Sequence, residues 1–171
     1  MPRSRRSAFL VVLAAAVASA PTPSRAATSS GSEHRFVAGA GSAVEATGGA
    51  AVNFGGSAFL EWTAVEEWLE LELGIGLLRA EGGVELPVGL LLKKPFRLSR
   101  RAEVMLGLGP ELVAYRRTPH DGNFVALEGA VDVMVWPTPR VGFSIEPSYE
   151  WTARGGGERS FAGTAGIIFG W

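Results

Sequence analysis

Apolar residues recur at every second position along most of the chain, which is the period of a β-strand with two different faces. The stretch WLELELGIGLL, residues 68–78, shows this pattern clearly. One face of the stretch carries Leu69, Leu71, Leu73, Ile75 and Leu77, and the other carries Trp68, Glu70, Glu72, Gly74 and Gly76. No helical period follows residue 26, so the pattern predicts an all-β protein.

Eight segments with this period are bounded by turn residues. The predicted strands cover residues 34–46, 51–64, 67–80, 84–94, 101–116, 123–136, 140–153 and 160–171. The connections between them are short and rich in Gly, Pro and charged residues. Because no amphipathic stretch of about 10–15 residues remains for a helix, a parallel sheet with crossover helices is excluded.

The two faces of the predicted strands differ in polarity, and this difference predicts the environment of the protein. One face is almost continuously aliphatic, with residues such as Leu60, Leu90 and Leu106, whereas the other carries Gly, Ser, Thr and carboxylates. The interior of an eight-stranded barrel is narrow and suits small residues alternating with charges, but not rows of Leu and Val. The aliphatic face is therefore expected to meet hydrocarbon, where only closed structures satisfy every backbone group. We predict an eight-stranded antiparallel up-and-down transmembrane β-barrel.

Outward-facing aromatic residues support this prediction. With strands alternating from a periplasmic start, they fall into two groups that flank the aliphatic band, as interfacial anchoring requires. The predicted periplasmic group is Phe36, Trp62, Phe143, Phe169 and Trp171, and the predicted outer group is Phe54, Tyr149, Trp151 and Phe161.

The N-terminus has the layout of a secretory signal peptide, with a basic start, a short apolar run and small residues before a predicted cleavage after Ala26. Residues 1–26 are the predicted signal peptide, 27–33 a polar leader, and 34–171 the barrel. Removal of residues 1–26 takes away four of the 16 basic residues and none of the 17 acidic ones, leaving a net charge of −5. This charge gives no support for nucleic-acid binding. The chain has no cysteine, so disulfides and an acylated cysteine are excluded.

The signal peptide, the strand number, the alternation and a last strand FAGTAGIIFGW that ends in an aromatic residue resemble the small eight-stranded outer-membrane barrels, such as the OmpA membrane domain and OmpX. The resemblance covers the mature chain and implies location in the outer membrane of a Gram-negative cell. It also implies that the last strand is the signal read by the barrel-assembly machinery. The residues of that implied signal are Phe161, Gly163, Ala165, Ile167, Phe169 and Trp171.

Strand parity points many carboxylates into the barrel. Those of the periplasmic half (Glu61, Glu70, Glu72, Glu103 and Asp132) have basic candidates nearby in Arg35, Lys93, Arg101 and Arg140. Those of the outer half have only Arg117 and Arg154 near the rim as basic candidates; they are Glu45, Glu85, Glu111, Glu128, Glu146 and Glu150. Confined carboxylates without counter-charges either take up protons or hold cations and water. The narrow interior favours a plugged acidic lumen over a cation-attracting pore.

Three outward arginines, Arg79, Arg116 and Arg159, lie at the predicted outer ends of strands or in the last outer loop. The guanidinium fork suits phosphate, so these residues predict contact with outer-membrane lipid and lipopolysaccharide. Simple solvation at the rim is the alternative.

Catalytic residues are sparse. His34 has no partner suggested by spacing, and a set of His120, Asp121 and Ser160 at the outer rim competes with the interpretation of PHDG as an ordinary turn. No metal-ligand spacing or phosphate-binding loop is present, so we expect neither a metal nor a cofactor. The sequence predicts a monomeric, non-enzymatic structural or interaction protein. A lipid A-modifying enzyme, a narrow cation pore and a soluble small-ligand barrel remain as alternatives.

Overall fold

The computed structural model describes residues 34–47, 52–80, 82–116, 122–152 and 157–171. Its strands are β1 (Phe36–Thr47), β2 (Val52–Val65), β3 (Leu69–Ala80), β4 (Gly83–Arg97), β5 (Ala102–Arg116), β6 (Gly122–Val135), β7 (Val141–Thr152) and β8 (Glu158–Gly170). Every predicted strand is present, and the largest difference in bounds is at β4, which runs three residues further, to Arg97. No helix among the described residues is long and apolar enough to cross a membrane. The predicted signal peptide, 1–26, and leader, 27–33, lie outside the described residues.

The strands form one closed antiparallel barrel in chain order. β1 pairs with β2 on one side and with β8 on the other, in a register that runs from Val37 opposite Gly170 to Thr47 opposite Ser160. Closure removes the sheet edges that would otherwise expose unpaired backbone groups. The predicted eight-stranded up-and-down barrel is confirmed. Below, "terminal end" means the barrel end at His34 and Trp171, and "loop end" means the opposite end.

The seam between β1 and β8 depends on glycine. Gly41 pairs with Gly166, and both lie on the lumen side of the seam. A Cβ on Gly41 would overlap the carbonyl oxygen of Ala165, and one on Gly166 would overlap that of Ala40. The two strands therefore approach more closely here than any larger residue allows.

The outer surface carries the predicted aliphatic belt. Its side chains remain exposed although they are large and apolar, as for Leu73, Leu92 and Leu108, which are 52–58% exposed. At the terminal end Phe36 and Trp171 stack with ring centroids 6.2 Å apart, and at the loop end Tyr149 and Phe161 meet edge to face at 5.0 Å. Both aromatic groups thus lie where the alternation predicted them.

One assignment of the periodicity is wrong. The alternation predicts that Trp68 lies on the inward face of β3, but Trp68 lies in the turn between β2 and β3 and is 62% exposed. Glu67 beside it has a positive φ of 59°, so the turn ends the alternation before the strand begins. Lys94 Nζ lies 5.9 Å from the centre of the Trp68 ring on the outer surface.

The lumen near the terminal end is filled by apolar side chains. We call this layer the apolar plug; its residues are Val37, Phe59, Met105, Met134, Trp136 and Ile168. Met105, Met134 and Ile168 have no exposed surface. The Trp136 indole nitrogen donates to Glu103 Oε1 at 3.1 Å, which satisfies the polar atom of the layer. The apolar plug occupies the lumen near the terminal end.

Candidate functional site

A single lysine lies at the centre of the lumen, next to the apolar plug. Lys93 is on β4 and points inward opposite Gly107 of β5, whose missing side chain leaves room for the lysine stem. A Cβ at Gly107 would lie 3.2 Å from Lys93 Cγ. The Lys93 side chain has no exposed surface.

The Lys93 ammonium is surrounded by carboxylates from four strands. It donates to Glu72 Oε2 at 2.6 Å, to Asp132 Oδ2 at 3.0 Å, and to Glu146 Oε2. Glu61 Oε2 lies 3.7 Å from the same nitrogen. An ammonium has three protons, so these three hydrogen bonds use all of them. We call Lys93, Glu61, Glu72, Asp132 and Glu146 the ion layer.

The ion layer and the apolar plug are in direct contact. The Phe59 ring, which packs against the plug, lies 5.7 Å from Lys93 Nζ, within the range of a cation–π interaction. Phe59 also covers Gly39 of β1, where a Cβ would overlap the ring. Two consecutive layers of side chains, one apolar and one ionic, therefore lie across the lumen.

Two sequence-based groupings change here. The sequence pattern places Glu146 among the carboxylates of the outer half, but in the structure it belongs to the ion layer through its contact with Lys93. Of the four basic candidates for the inner carboxylates, only Lys93 lies in the lumen, because Arg35, Arg101 and Arg140 are exposed at the terminal end. The side chain of lysine is long enough to reach carboxylates on strands far from β4 in sequence, which strand parity alone does not reveal.

Beyond the ion layer, toward the loop end, the lumen opens into a cavity of about 90 Å³. We call it the acidic chamber. Its wall includes three carboxylates, Glu111 of β5, Glu128 of β6 and Glu150 of β7, which each contribute an oxygen within 4.8 Å of the others. Small residues make room for it, namely Gly74, Gly76, Gly89 and Ser148.

A second acidic pair lies nearer the loop end. Asn53 of β2 donates through Nδ2 to Glu45 Oε2 at 3.4 Å and to Glu85 Oε2 at 3.2 Å. Thr47 Oγ1 donates to Glu45 Oε1 at 3.2 Å. These residues are partly exposed, so water reaches this pair from the loop end.

The three outward arginines are exposed, and two of them lie close together while the third is on another wall of the barrel. Arg79 of β3 and Arg116 of β5 share one outward row, because both pair with Val84 of β4. Arg116 also donates to Asn123 Oδ1 at 3.2 Å. Arg159 pairs with Trp151 on the β7–β8 wall, away from that row.

The residues considered for catalysis do not form a described site. Ser160 is buried and donates to Glu150 Oε2 at 3.0 Å, while His120 and Asp121 lie outside the described residues. His34 lies at the terminal end against Trp136, with ring centroids 4.5 Å apart. Burial lowers the pKa of His34, and Glu103 opposes this only in part.

The last strand presents an outward stripe. Phe161, Ala165, Ile167, Phe169 and Trp171 are exposed on the outer surface, and Gly163 occupies the same face without a side chain. Trp171 also stabilises the pairing of β8 with β1. Its carbonyl oxygen accepts hydrogen bonds from the backbone nitrogens of Arg35 and Phe36 at 3.1 and 3.2 Å.

Comparison with solved structures decides the type of barrel. The chain superposes on Neisserial surface protein A with a TM-score of 0.67 and 15% identity, covering 80% of this chain and 97% of that one. The outer membrane protein OprG from Pseudomonas aeruginosa matches with a TM-score of 0.60 and 11% identity, covering 80% and 95%. This chain has the fold of a small outer-membrane β-barrel.

The N-terminal barrel domain of Pseudomonas aeruginosa OprF is a further match, with a TM-score of 0.52 and 16% identity over 81% of this chain and 98% of that one. No protein-family model and no curated protein matches the sequence. The sequence predicts location in the outer membrane. The fold and the exposed aliphatic belt confirm this location.

Sequence reasoning missed the apolar plug of this outer-membrane barrel. A signal for it was present, because Val37, Met105 and Met134 are large apolar residues at inward positions of their strands. These residues fall near the terminal ends of their strands, so they form one layer once the strands are paired.

Proposed function

We propose that this chain is a monomeric, non-conducting and non-enzymatic outer-membrane barrel that acts through its outer surface. The observation that carries this proposal is the pair of consecutive layers across the lumen. Lys93 links β4 to carboxylates on β3, β6 and β7, and the apolar plug lies directly behind it. A solute crossing the barrel has to displace a buried ammonium from three hydrogen bonds and then pass an apolar layer.

The proposal is tested by osmotic swelling of liposomes that contain the refolded barrel. We expect liposomes in arabinose to swell at the rate of protein-free liposomes, at every protein density. A general porin reconstituted in the same way provides the positive control. A swelling rate that rises in proportion to this protein would show an open path and contradict the proposal.

The outward arginine row supports a contact with lipopolysaccharide. Arg79 and Arg116 flank Val84 in one row, so their backbones are about 10 Å apart, two strand spacings. Two arginine forks in the interfacial region at this spacing can each bind a phosphate oxygen pair. Arg159 would make a separate contact on the opposite wall.

Lipopolysaccharide binding to the refolded barrel in micelles tests this contact. We expect the double variant Arg79→Gln with Arg116→Gln to bind more weakly than wild type. Arg100→Gln, an exposed arginine in the turn at the terminal end, is the matched control and should bind as wild type does. Equal binding by the double variant would mean that the two arginines are only solvated at the rim.

The non-enzymatic part of the proposal rests on the lining of the acidic chamber. Among the described residues, that lining combines carboxylates, serines, a threonine and small or apolar residues, with no histidine or cysteine. An enzyme that hydrolyses lipid A needs a general base next to a nucleophile or an activated water. We expect the lipid A of cells that express the protein to keep its mass. A mass change that disappears in His120→Ala would instead establish the enzyme alternative.

The last strand is proposed as the assembly signal, recognised by the barrel-assembly machinery through its exposed aromatic stripe. Two observations support it: the stripe faces outward along β8, and β8 is the strand that must find β1 for the barrel to close.

A further inference from the structure

We infer that Glu111, Glu128 and Glu150 form a binding site for a divalent calcium-like cation inside the acidic chamber. This inference goes beyond the proposed surface function, because it assigns a ligand class to the lumen and is independent of whether the outer surface binds lipid.

The three carboxylates come together through the strand register. Glu128 of β6 lies directly opposite Glu150 of β7, and Glu111 of β5 reaches the same chamber from the neighbouring strand. One oxygen from each lies within 4.8 Å of the other two. Calcium binds oxygen at about 2.3–2.6 Å, so oxygens on opposite sides of one ion are about 4.6–5.2 Å apart. All three oxygens therefore fit around a single calcium ion.

A buried oxygen without a partner points to the same site. Glu111 is only 7% exposed, and its Oε1 atom is buried with no hydrogen-bond donor. Leaving a buried acceptor unsatisfied costs free energy, and leaving a buried carboxylate unpaired costs more. Because Glu111 lines the chamber, a cation there would satisfy this oxygen directly.

The neighbouring basic residue, Lys93, forms no salt bridge with these three carboxylates. Lys93 donates its three protons to Glu72, Asp132 and Glu146 in the ion layer. Among the described residues, no salt bridge reaches Glu111, Glu128 or Glu150. Three acidic side chains therefore share one cavity with no described counter-charge in contact.

The chamber has the space and the donor atoms that calcium requires. Its cavity of about 90 Å³ holds several waters, which would complete the six to eight oxygen ligands that calcium prefers. At Gly89 a Cβ would lie 3.3 Å from Glu128 Oε2, so glycine leaves space for that carboxylate. All three ligands are carboxylates, which suit calcium rather than a softer transition metal. Magnesium demands shorter bonds and stricter octahedral geometry.

The cation would enter from the loop end and remain bound in the acidic chamber. The partly exposed Glu45 and Glu85 lie on that side of the chamber, and their charge attracts cations toward it. The ion layer closes the other side. The site is thus a binding site in a closed lumen rather than a step in a conduction path.

Calcium titration calorimetry tests this inference. The barrel is refolded from inclusion bodies into zwitterionic micelles, free of lipopolysaccharide, and titrated with CaCl₂. We expect saturable binding of one Ca²⁺ per barrel, with weaker binding of MgCl₂. In Glu111→Gln with Glu128→Gln, two of the three charged ligands are lost, so the affinity should fall about tenfold or more. Glu158→Gln removes an exposed carboxylate at the same end and should bind as wild type does.

Unfolding temperature is a second readout that needs no calorimetry. CaCl₂ should raise the unfolding temperature of wild type and of Glu158→Gln, but not that of the double variant. If the double variant does not fold, Glu150→Gln alone is used, with the same expected loss of calcium response. The inference is overturned by absence of saturable binding in wild type, by equal affinities in wild type and the site variant, or by an equal loss in Glu158→Gln.

Discussion

Replacement of Lys93 by methionine removes the only basic group of the ion layer while keeping a side chain of similar length. In the native barrel the ammonium has no exposed surface and bonds to Glu72, Asp132 and Glu146. The variant leaves these three carboxylates buried against one another without a donor. We expect it to unfold far more easily than the wild-type barrel.

The size of the effect follows from the burial of the lysine. Removing one partner of a buried ion pair costs about 3–5 kcal/mol, because the remaining charge stays desolvated. Urea unfolding of the refolded barrel in lipid vesicles, followed by tryptophan fluorescence, measures this loss. With a slope of about 2 kcal/mol per molar urea, the midpoint should fall by about 1.5–2.5 M.

Lys94 is the matched control, because it is the next residue and faces outward. Its Nζ lies over the Phe96 and Trp68 rings and donates to the Glu67 carbonyl oxygen. Each ring contact at the surface is worth about 0.5–1 kcal/mol, and water can replace the exposed hydrogen bond. Lys94→Met should therefore shift the midpoint much less. Lys93→Met combined with Glu72→Gln and Asp132→Asn should recover most of the loss, since it also removes two of the buried negative charges. Equal midpoints for Lys93→Met and Lys94→Met would refute the role given to the ion layer.

Two further predictions concern closure of the barrel. Gly41→Ala places a Cβ against the backbone of β8 and should lower the free energy of unfolding by about 1–3 kcal/mol in the same urea assay. Gly56→Ala is the control and should have little effect, because Gly56 is exposed and the atom nearest to its added Cβ would be 3.4 Å away. Deletion of Trp171 removes the backbone bonds of that residue to Arg35 and Phe36, so the folded fraction on gels should fall more than in Trp171→Ser, which keeps the backbone. Phe169→Ser with Trp171→Ser should fold in vitro yet be depleted from outer membranes in cells; normal levels there would make the terminal aromatics ordinary interfacial residues.

The fold could be predicted from the sequence because one pattern governs the whole barrel. Alternation with a period of two sets which residues face lipid, and closure makes that pattern uniform across all eight strands. Even Pro87, Pro110 and Pro147, which lie inside strands, do not interrupt the alternation.

The interior of the lumen was only partly predictable. Parity correctly turns Glu72 and Asp132 inward, but it does not say how far along the barrel axis each side chain reaches. Lys93 meets Glu146, which is 53 positions away in sequence, because strand tilt and side-chain length bring them to one level. The apolar plug and the unpaired oxygen of Glu111 likewise depend on register between strands, which composition does not contain.

Single-channel recording in a planar lipid bilayer tests the central claim, that the apolar plug and the ion layer close the lumen. The wild-type barrel, inserted at a density confirmed by its folded form on gels, should give no discrete current steps in KCl at either polarity. Regular cation-selective steps from the wild-type protein, reduced in Glu111→Gln with Glu128→Gln, would show an open acidic pore and contradict the account.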